Sequence, residues 1–386
     1  MRFPEFSGEW EIARLGDVCK FFSGGTPSST NKDFYDGDIP FIRSGEIHSN
    51  STELYITEAG LNSSSAKIVE QGDLLLALYG ATSGDIAISK IKGAINQAVL
   101  CIRTNHDNLF LKSCWEKHCE KLLQTYLQGG QGNLSAEIVK SIKMSFPSYL
   151  EQKKISGLLS LIEERISTQR KIIEDLKKLK DAINNSLHNN INEFQLFSFN
   201  ELGNDYSGLT GKSSDDFGSG LPYISYLNVF RNDIVTDGQF DCVKVSKTEK
   251  QNVVSYGDLL FTLSSETPSE VGIGAIYLGK TNPIYLNSFC FGVHLSNQEN
   301  IYGPYLAYFV TSQYFRKTIL PFAQGSTRYN LMKSDFLKHK FCFPNMATQK
   351  AIYNALHTLS EKIQNEEVCL NKYTEQKQYL LALLFI

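Results

Sequence analysis

Reactive side chains gather in six short stretches of the 386-residue chain, and each is incomplete as a reaction centre. Asn282-Pro283-Ile284-Tyr285 resembles the Asn-Pro-Pro-Tyr loop of adenine methyltransferases but lacks its second proline. Asp215-Asp216-Phe217-Gly218-Ser219-Gly220 resembles a methyl-donor loop. Such a loop should open a helix, whereas this one leads into the strand-like run Leu221-Pro222-Tyr223-Ile224. Gly211-Lys212-Ser213 ends like a phosphate-binding loop, yet the first glycine of that loop would fall on Tyr206, so the stretch reads as a turn. Glu151-Gln152-Lys153 and Glu375-Gln376-Lys377 carry the Glu-x-Lys spacing of some nucleases without a partner aspartate, and read as solvated helix charge. Cys114, His118 and Cys119 stand close together without the second pair of ligands a structural zinc requires. Neither a catalytic residue, a bound cofactor nor a metal is expected in this chain.

What remains is chemistry of binding. Reading bases takes Arg, Lys, Asn, Gln, Ser or Thr on loops or helix starts that reach groove edges. The richest such stretch is Gln324–Asn330, with Ser326, Thr327, Arg328 and Tyr329 just ahead of a predicted helix, where backbone amides and an arginine suit a phosphate. Its counterpart in the first half runs from Gln128 and includes Gln131 and Asn133. For either loop alone, a glycine-rich turn capping a helix is the competing reading. Further candidates are Arg43 and Ser44, Thr82 and Ser83, and Gln97, matched in the second half by Ser225 and Tyr226, Ser264 and Ser265, and Ser288.

An internal repeat relates the two halves. Asn133-Leu134, Phe146-Pro147 and Gln152-Lys153 recur as Asn330-Leu331, Phe343-Pro344 and Gln349-Lys350, all at an offset of 197 residues. Upstream the match is looser: Gly72-Asp73-Leu74-Leu75 recurs as Gly257-Asp258-Leu259-Leu260, and Ile95-Asn96-Gln97 corresponds to Leu286-Asn287-Ser288. The chain is two copies of one plan, a divergent globular part followed by a closely matching helical part. Short apolar runs bounded by turns give strands at 73–79, 85–89 and 98–102, then 258–263, 273–278 and 289–295. Helices are expected at 110–126 and 304–320, so each globular half is α+β.

The helical parts carry three- and four-residue steps of apolar side chains: Ile155, Leu159, Ile162, Ile166, Ile173, Leu176, Ile183 and Leu187, then Ile352, Leu356, Leu359, Ile363, Leu370, Tyr373, Leu380 and Leu384. Gln169 and Lys180 interrupt the first series, and Glu366 and Lys377 interrupt the second at the same places. So narrow a seam, matched in register, predicts helices that pack on each other as a coiled coil. Four segments follow: globular domains over 1–149 and 191–346, and helices over 150–190 and 347–386.

Composition agrees with two soluble cores. The start of the chain lacks a signal-like apolar stretch and the terminal apolar run is too short to span a bilayer, so a cytoplasmic protein without a membrane partner is expected. Net charge is −3 and no segment is strongly basic; residues 151–190 hold 8 basic and 6 acidic side chains. Since DNA affinity depends heavily on phosphate neutralisation, a DNA-binding role calls for a partner that supplies basic surface.

In its order of motifs the chain resembles the specificity subunits of Type I restriction-modification enzymes. The residues that carry the likeness are Gly8-Glu9-Trp10, Leu15-Gly16-Asp17-Val18, the Gly24-Gly25-Thr26-Pro27 turn, both Gly-Asp-Leu-Leu strands, Ala94–Val99 and the two Phe-Pro … Gln-Lys openings of long helices. The resemblance implies two target-recognition domains, each reading one part of a split site in double-stranded DNA. It also implies two long helices packed antiparallel, which relate the domains by a pseudo-twofold repeat, fix the gap and hold two modification methyltransferase subunits. Restriction subunits, the translocase and endonuclease, then join. S-adenosylmethionine, ATP and magnesium are implied for those partners. Divergent domains imply an asymmetric site. A coiled-coil scaffold without DNA binding accounts for the seams but not for the two divergent domains, and a self-contained methyltransferase requires motifs that are incomplete here.

Overall fold

The computed structural model describes residues 2–126, 134–189, 193–238, 240–246, 248–296 and 299–385. The chain divides into two compact units, residues 1–170 with 368–386, and residues 171–367. Two long helices, α1 (Tyr149–Asn189) and α2 (Met346–Leu384), each contribute one portion to each unit.

In the first unit the central strand is Leu74–Ala77, flanked antiparallel by Val99–Thr104 and Ile86–Ile88, with Cys19–Ser23 outside Val99–Thr104. All four of its residues are buried, because alternate side chains enter different cores. Leu74 and Leu76 pack with Phe110 and Trp115 of the helix Asn108–Tyr126. Leu75 and Ala77 pack with Ile42 and Ile95, which belong to a second sheet, ordered Tyr55–Ile56, Tyr35–Ile42, Gly93–Ile95, Lys67–Val69. The second unit repeats the scheme. Leu259–Thr262 is its central strand; Leu259 and Phe261 face Phe309 and Phe315, and Leu260 faces Ile224 and Leu286. This explains why Gly-Asp-Leu-Leu reads as a continuous apolar run and not as an alternating one. Its first two residues make the turn: Gly72 and Gly257 have φ of 96° and 88°, conformations that favour glycine. Asp73 and Asp258 then accept the backbone N–H of Glu70 and Ser255, both at 2.8 Å.

Each long helix is stitched to its domain by the glutamine that opens it. Gln152 accepts the N–H of Asp107 at 3.0 Å and donates to the Pro147 carbonyl at 2.8 Å. Gln349 accepts the N–H of Tyr302 at 2.7 Å and donates to the carbonyls of Pro344 (2.8 Å) and Asn300 (2.9 Å). Both are essentially inaccessible to solvent. Glu151 is buried as well and forms two bonds to the Arg2 guanidinium at 2.7 and 2.8 Å. The Glu151-Gln152 pair is therefore internal structure, not the solvated helix charge expected from the sequence.

All sixteen seam residues are buried or half-buried. In the first unit Ile155 and Leu159, early in α1, share a core with Leu384 and Phe385 at the close of α2. In the second, Ile183 and Leu187, late in α1, lie against the core that holds Ile352 and Leu356, early in α2. Within each unit the helices thus run antiparallel. Two polar interruptions of the seam find charged partners: Lys180 pairs with Asp233 of its domain, and Lys377 with Glu116 of the helix Asn108–Tyr126 (3.0 Å) and with Glu163 of α1 (2.8 Å). Burial opposes a charge on Lys377, but these carboxylates hold its ammonium above its ordinary pKa.

Two local expectations are corrected. The helix expected over 304–320 is broken: Leu306–Phe309 and Gln313–Ile319 are separate, because the Ser312 side chain accepts the Phe315 N–H and starts the second afresh. The stretch 324–330 forms a hairpin turn between Ala323–Gln324 and Tyr329–Leu331, and the following helix begins only at Lys333. No helix among the described residues is long and apolar enough to cross a membrane, and among them no cluster of His, Cys, Asp and Glu is fit to hold a metal.

At the far end of α1, His188 is buried between Asn184 and Tyr305. Its Nδ1 lies 2.8 Å from the Asn184 carbonyl, to which it donates, so Nε2 accepts from the Tyr305 hydroxyl at 3.0 Å. Burial lowers its pKa below the usual 6.5. The unfolded chain then takes up a proton that the folded unit refuses. The stabilisation is full above about pH 6.5 and is lost as pH falls below it towards the folded pKa. The thermal midpoint of the second unit should accordingly drop between pH 7.5 and 5, and His188→Gln should flatten that slope.

Candidate nucleic-acid interface

The second unit brings most of its candidates to one place. Ser264 and Ser265 form a short strand that pairs with Asn330 and Tyr329 of the hairpin, and the Tyr226 hydroxyl donates to the Ser264 carbonyl at 3.0 Å. Gly325, with φ of 147°, turns the hairpin; a Cβ there would lie 2.0 Å from the Arg328 carbonyl oxygen. The result is an open cleft of about 720 Å³ lined by Tyr226, Ser264, Ser265, Thr327 and Arg328, together with Leu227, Phe230, Glu266, Glu270 and Phe289. Arg328 lies over the Phe289 ring, 5.2 Å from its centroid, and Tyr226 stacks on Phe230. Leu227 and Phe289 are half exposed.

The candidates differ in what their polar atoms are free to do. The side chains of Thr327, Arg328 and Ser326 are exposed, while Tyr329 is half-buried. Ser264 and Ser265 are buried in the floor, and Ser265 donates to Glu270 at 2.7 Å. Ser225 is committed to capping the helix Tyr226–Arg231, exchanging hydrogen bonds with Asn228. Ser288 is exposed in the turn after Leu286.

In the first unit the candidates are tied to separate turns. The Arg43 guanidinium is held by Glu46 (2.9 Å) and Glu53 (2.6 Å), which raise its pKa further. Ser44 opens the turn Ser44–Glu46; Thr82 closes the turn Gly80–Thr82, and Ser83 donates to the Leu78 carbonyl at 3.0 Å. Gln97 is exposed and accepts from the Thr26 hydroxyl at 2.5 Å. Gln131 and Asn133 lie outside the described residues. Among the described residues no hydrogen bond or ion pair joins Arg43, Thr82 and Gln97 to one another. Sequence reasoning missed Glu266, Leu227 and Phe289. The available signal was large apolar side chains at turn and helix-start positions, where polar ones are the norm.

Residues 7–178 and again 192–373 match the family model described as the Type I restriction modification DNA specificity domain. The chain belongs to that family. It is thus a specificity subunit, a non-catalytic component of a Type I restriction-modification system that recognises DNA sequence. The MjaVIII specificity subunit of Methanocaldococcus jannaschii is 22% identical over 418 residues, covering 100% of this chain and 93% of that one. The EcoR124I/EcoR124II specificity subunit of Escherichia coli is 26% identical over 196 residues, 48% of this chain and 44% of that one. Among solved structures, the S subunit from M. genitalium matches with a TM-score of 0.60 at 16% identity, covering 100% and 99% of the two chains. A chain from a study of Type I complex assembly and conformational transition matches at 0.61 and 15%, over 99% and 98%. Those likenesses support the doubled α+β fold of this specificity subunit, and its setting is a complex with other restriction-modification subunits and DNA.

Proposed function

We propose that each unit's globular domain reads one part of a split, asymmetric DNA site, and that α1 and α2 set the gap and carry the docking surfaces for two methyltransferase subunits. The observation that carries this reading is the pairing of a shared frame with unshared loops. The Gly-Asp turn and the opening glutamine recur in both copies, whereas Arg43 and Ser44 stand where Ser225 and Tyr226 do, and Gln97 where Ser288 does. A duplicated scaffold with different reading side chains suits two unlike half-sites. An α-helix of 41 residues is about 60 Å long, a stiff spacer. S-adenosylmethionine belongs to the methyltransferase partners, and ATP with magnesium to the restriction subunits, which join the complex in the cytoplasm. Net charge of −3 fits a reader whose phosphate contacts come largely from partners.

The test is a map of methylated adenines in cells that carry the methyltransferase subunit with and without this chain. A split, asymmetric motif is expected only with both present. Exchange of residues 191–348 for those of another member of the family is expected to change one half of the motif and leave the other intact. Methylation that follows one unchanged motif after the exchange would defeat the two-reader assignment.

A further inference from the structure

The cleft of the second unit holds two groups of opposite charge that do not pair. Among the described residues Glu266 has no cationic partner, and Arg328 has no carboxylate partner, its guanidinium resting on Phe289. Both line the same opening. Glu270 is already engaged by the Ser265 hydroxyl. A free carboxylate beside DNA is repelled by every phosphate, so its presence in a reading cleft needs a compensating donor. In the major groove the donors are the exocyclic amino groups of cytosine and adenine, and a carboxylate pairs with cytosine N4. An arginine fork matches guanine O6 and N7. Only the C·G pair offers both on one edge.

Resting on the half-site reading above, we propose that the second unit's half-site contains a C·G pair, with Glu266 accepting from cytosine N4 and Arg328 donating to guanine O6 and N7. The Phe289 ring orients the guanidinium, leaving its N–H edge for the base. Glu266 is thereby a specificity-determining residue, and its acidity excludes competitors more than it adds affinity, since a guanine or thymine in the cytosine's place would set its O6 or O4 acceptor against the carboxylate.

The experiment uses the full chain assembled with methyltransferase subunits and a pool of duplexes randomised across the second half-site. The bound fraction is sequenced for the parent, Glu266→Gln and Arg328→Lys. In the parent one C·G position should be preferred roughly 10-fold or more over any other pair. Glu266→Gln, whose amide both donates and accepts, should bring that preference below about 3-fold and leave the remaining positions and the first half-site unchanged. Arg328→Lys should weaken the guanine preference at that same pair while keeping overall affinity, because the charge stays and the fork is lost. Both side chains are exposed, and unchanged thermal midpoints establish that the variants fold. A second half-site without a C·G pair, or a C·G preference untouched by either variant, overturns the assignment while leaving the half-site reading intact. A parent complex with no preference at any position in the second half-site overturns the reading on which it rests.

Discussion

Gly24→Ala is expected to prevent the first domain from closing. A Cβ at this position would lie 1.7 Å from the Ile95 carbonyl oxygen and 2.5 Å from its carbon. Those are backbone atoms of the strand Gly93–Ile95, so no change of rotamer relieves the collision. The equivalent Gly208 faces the Asn287 carbonyl oxygen at 2.0 Å in the second unit. The cost belongs at the upper end for overpacking, about 3 kcal/mol or more, a large share of the stability of a typical domain. Denaturant unfolding checks it conveniently, because both tryptophans, Trp10 and Trp115, lie in the first unit and report on it selectively. Gly24→Ala should move or abolish the tryptophan-detected transition, whereas Gly208→Ala should act on the loss of helical circular dichroism and spare that signal. Gly157→Ala is the control. Nothing lies within 4 Å of its Cβ, and inside α1 the change should stabilise by up to about 1 kcal/mol. A parent-like tryptophan transition for Gly24→Ala would refute the close-approach argument.

The second large effect is expected from Gln349→Leu. The side chain volume is nearly conserved, yet the Tyr302 N–H and the Pro344 carbonyl lose their partner beside a side chain that is itself fully buried. Each unsatisfied buried group costs about 1–3 kcal/mol, and partial relaxation leaves a net loss of about 3 kcal/mol. Gln349→Glu should be no better, because its carboxylate would still accept from Tyr302 but would confront two carbonyl oxygens without a donor. Gln152→Leu should act likewise in the first unit, where it deprives Asp107 and Pro147 of their partner. Amide hydrogen exchange at Asp107 and Tyr302 reads the loss directly: protection there should fall before it falls along the helices. A Gln349→Leu variant with an unaltered midpoint and protected Tyr302 amide would show that the glutamine is dispensable.

These two cases also show what the sequence reveals and what it hides. The offset of 197 residues between the helical parts was legible because helix packing leaves a periodic trace, and Ile155, Leu159, Ile352 and Leu356 all sit where that trace puts them. The central strands were legible because Leu74 to Ala77 and Leu259 to Phe261 are short apolar runs that follow a Gly-Asp turn. The purpose of Gly24 was not, since its reason is a carbonyl 71 residues further along the chain. The seam's interruptions at Lys180 and Lys377 were visible, but their partners Asp233 and Glu116 depend on tertiary packing that no periodicity encodes. The cleft was only half legible for the same reason. Cross-strand register unites Ser264 and Ser265 with the hairpin, and the cleft then draws in Phe289 and Glu266. Side chains that read a ligand follow the ligand's edge, which leaves no repeat in the chain.

The first unit is completed by residues 368–386, while the second is a continuous stretch from 171 to 367. The domain made first is thus finished by a segment that follows the second, whereas the second takes nothing from beyond residue 367. The second domain has all its parts while the first still waits for Leu384 and Phe385 to enter the core beside Phe110 and for the Lys117 ammonium to meet the Phe385 carbonyl. A stop codon shortly before residue 368 should thus injure the domain made first and spare the one made last. A chain cut there leaves the core around Phe110 and Trp115 without Leu384 and Phe385, so its apolar side chains face solvent.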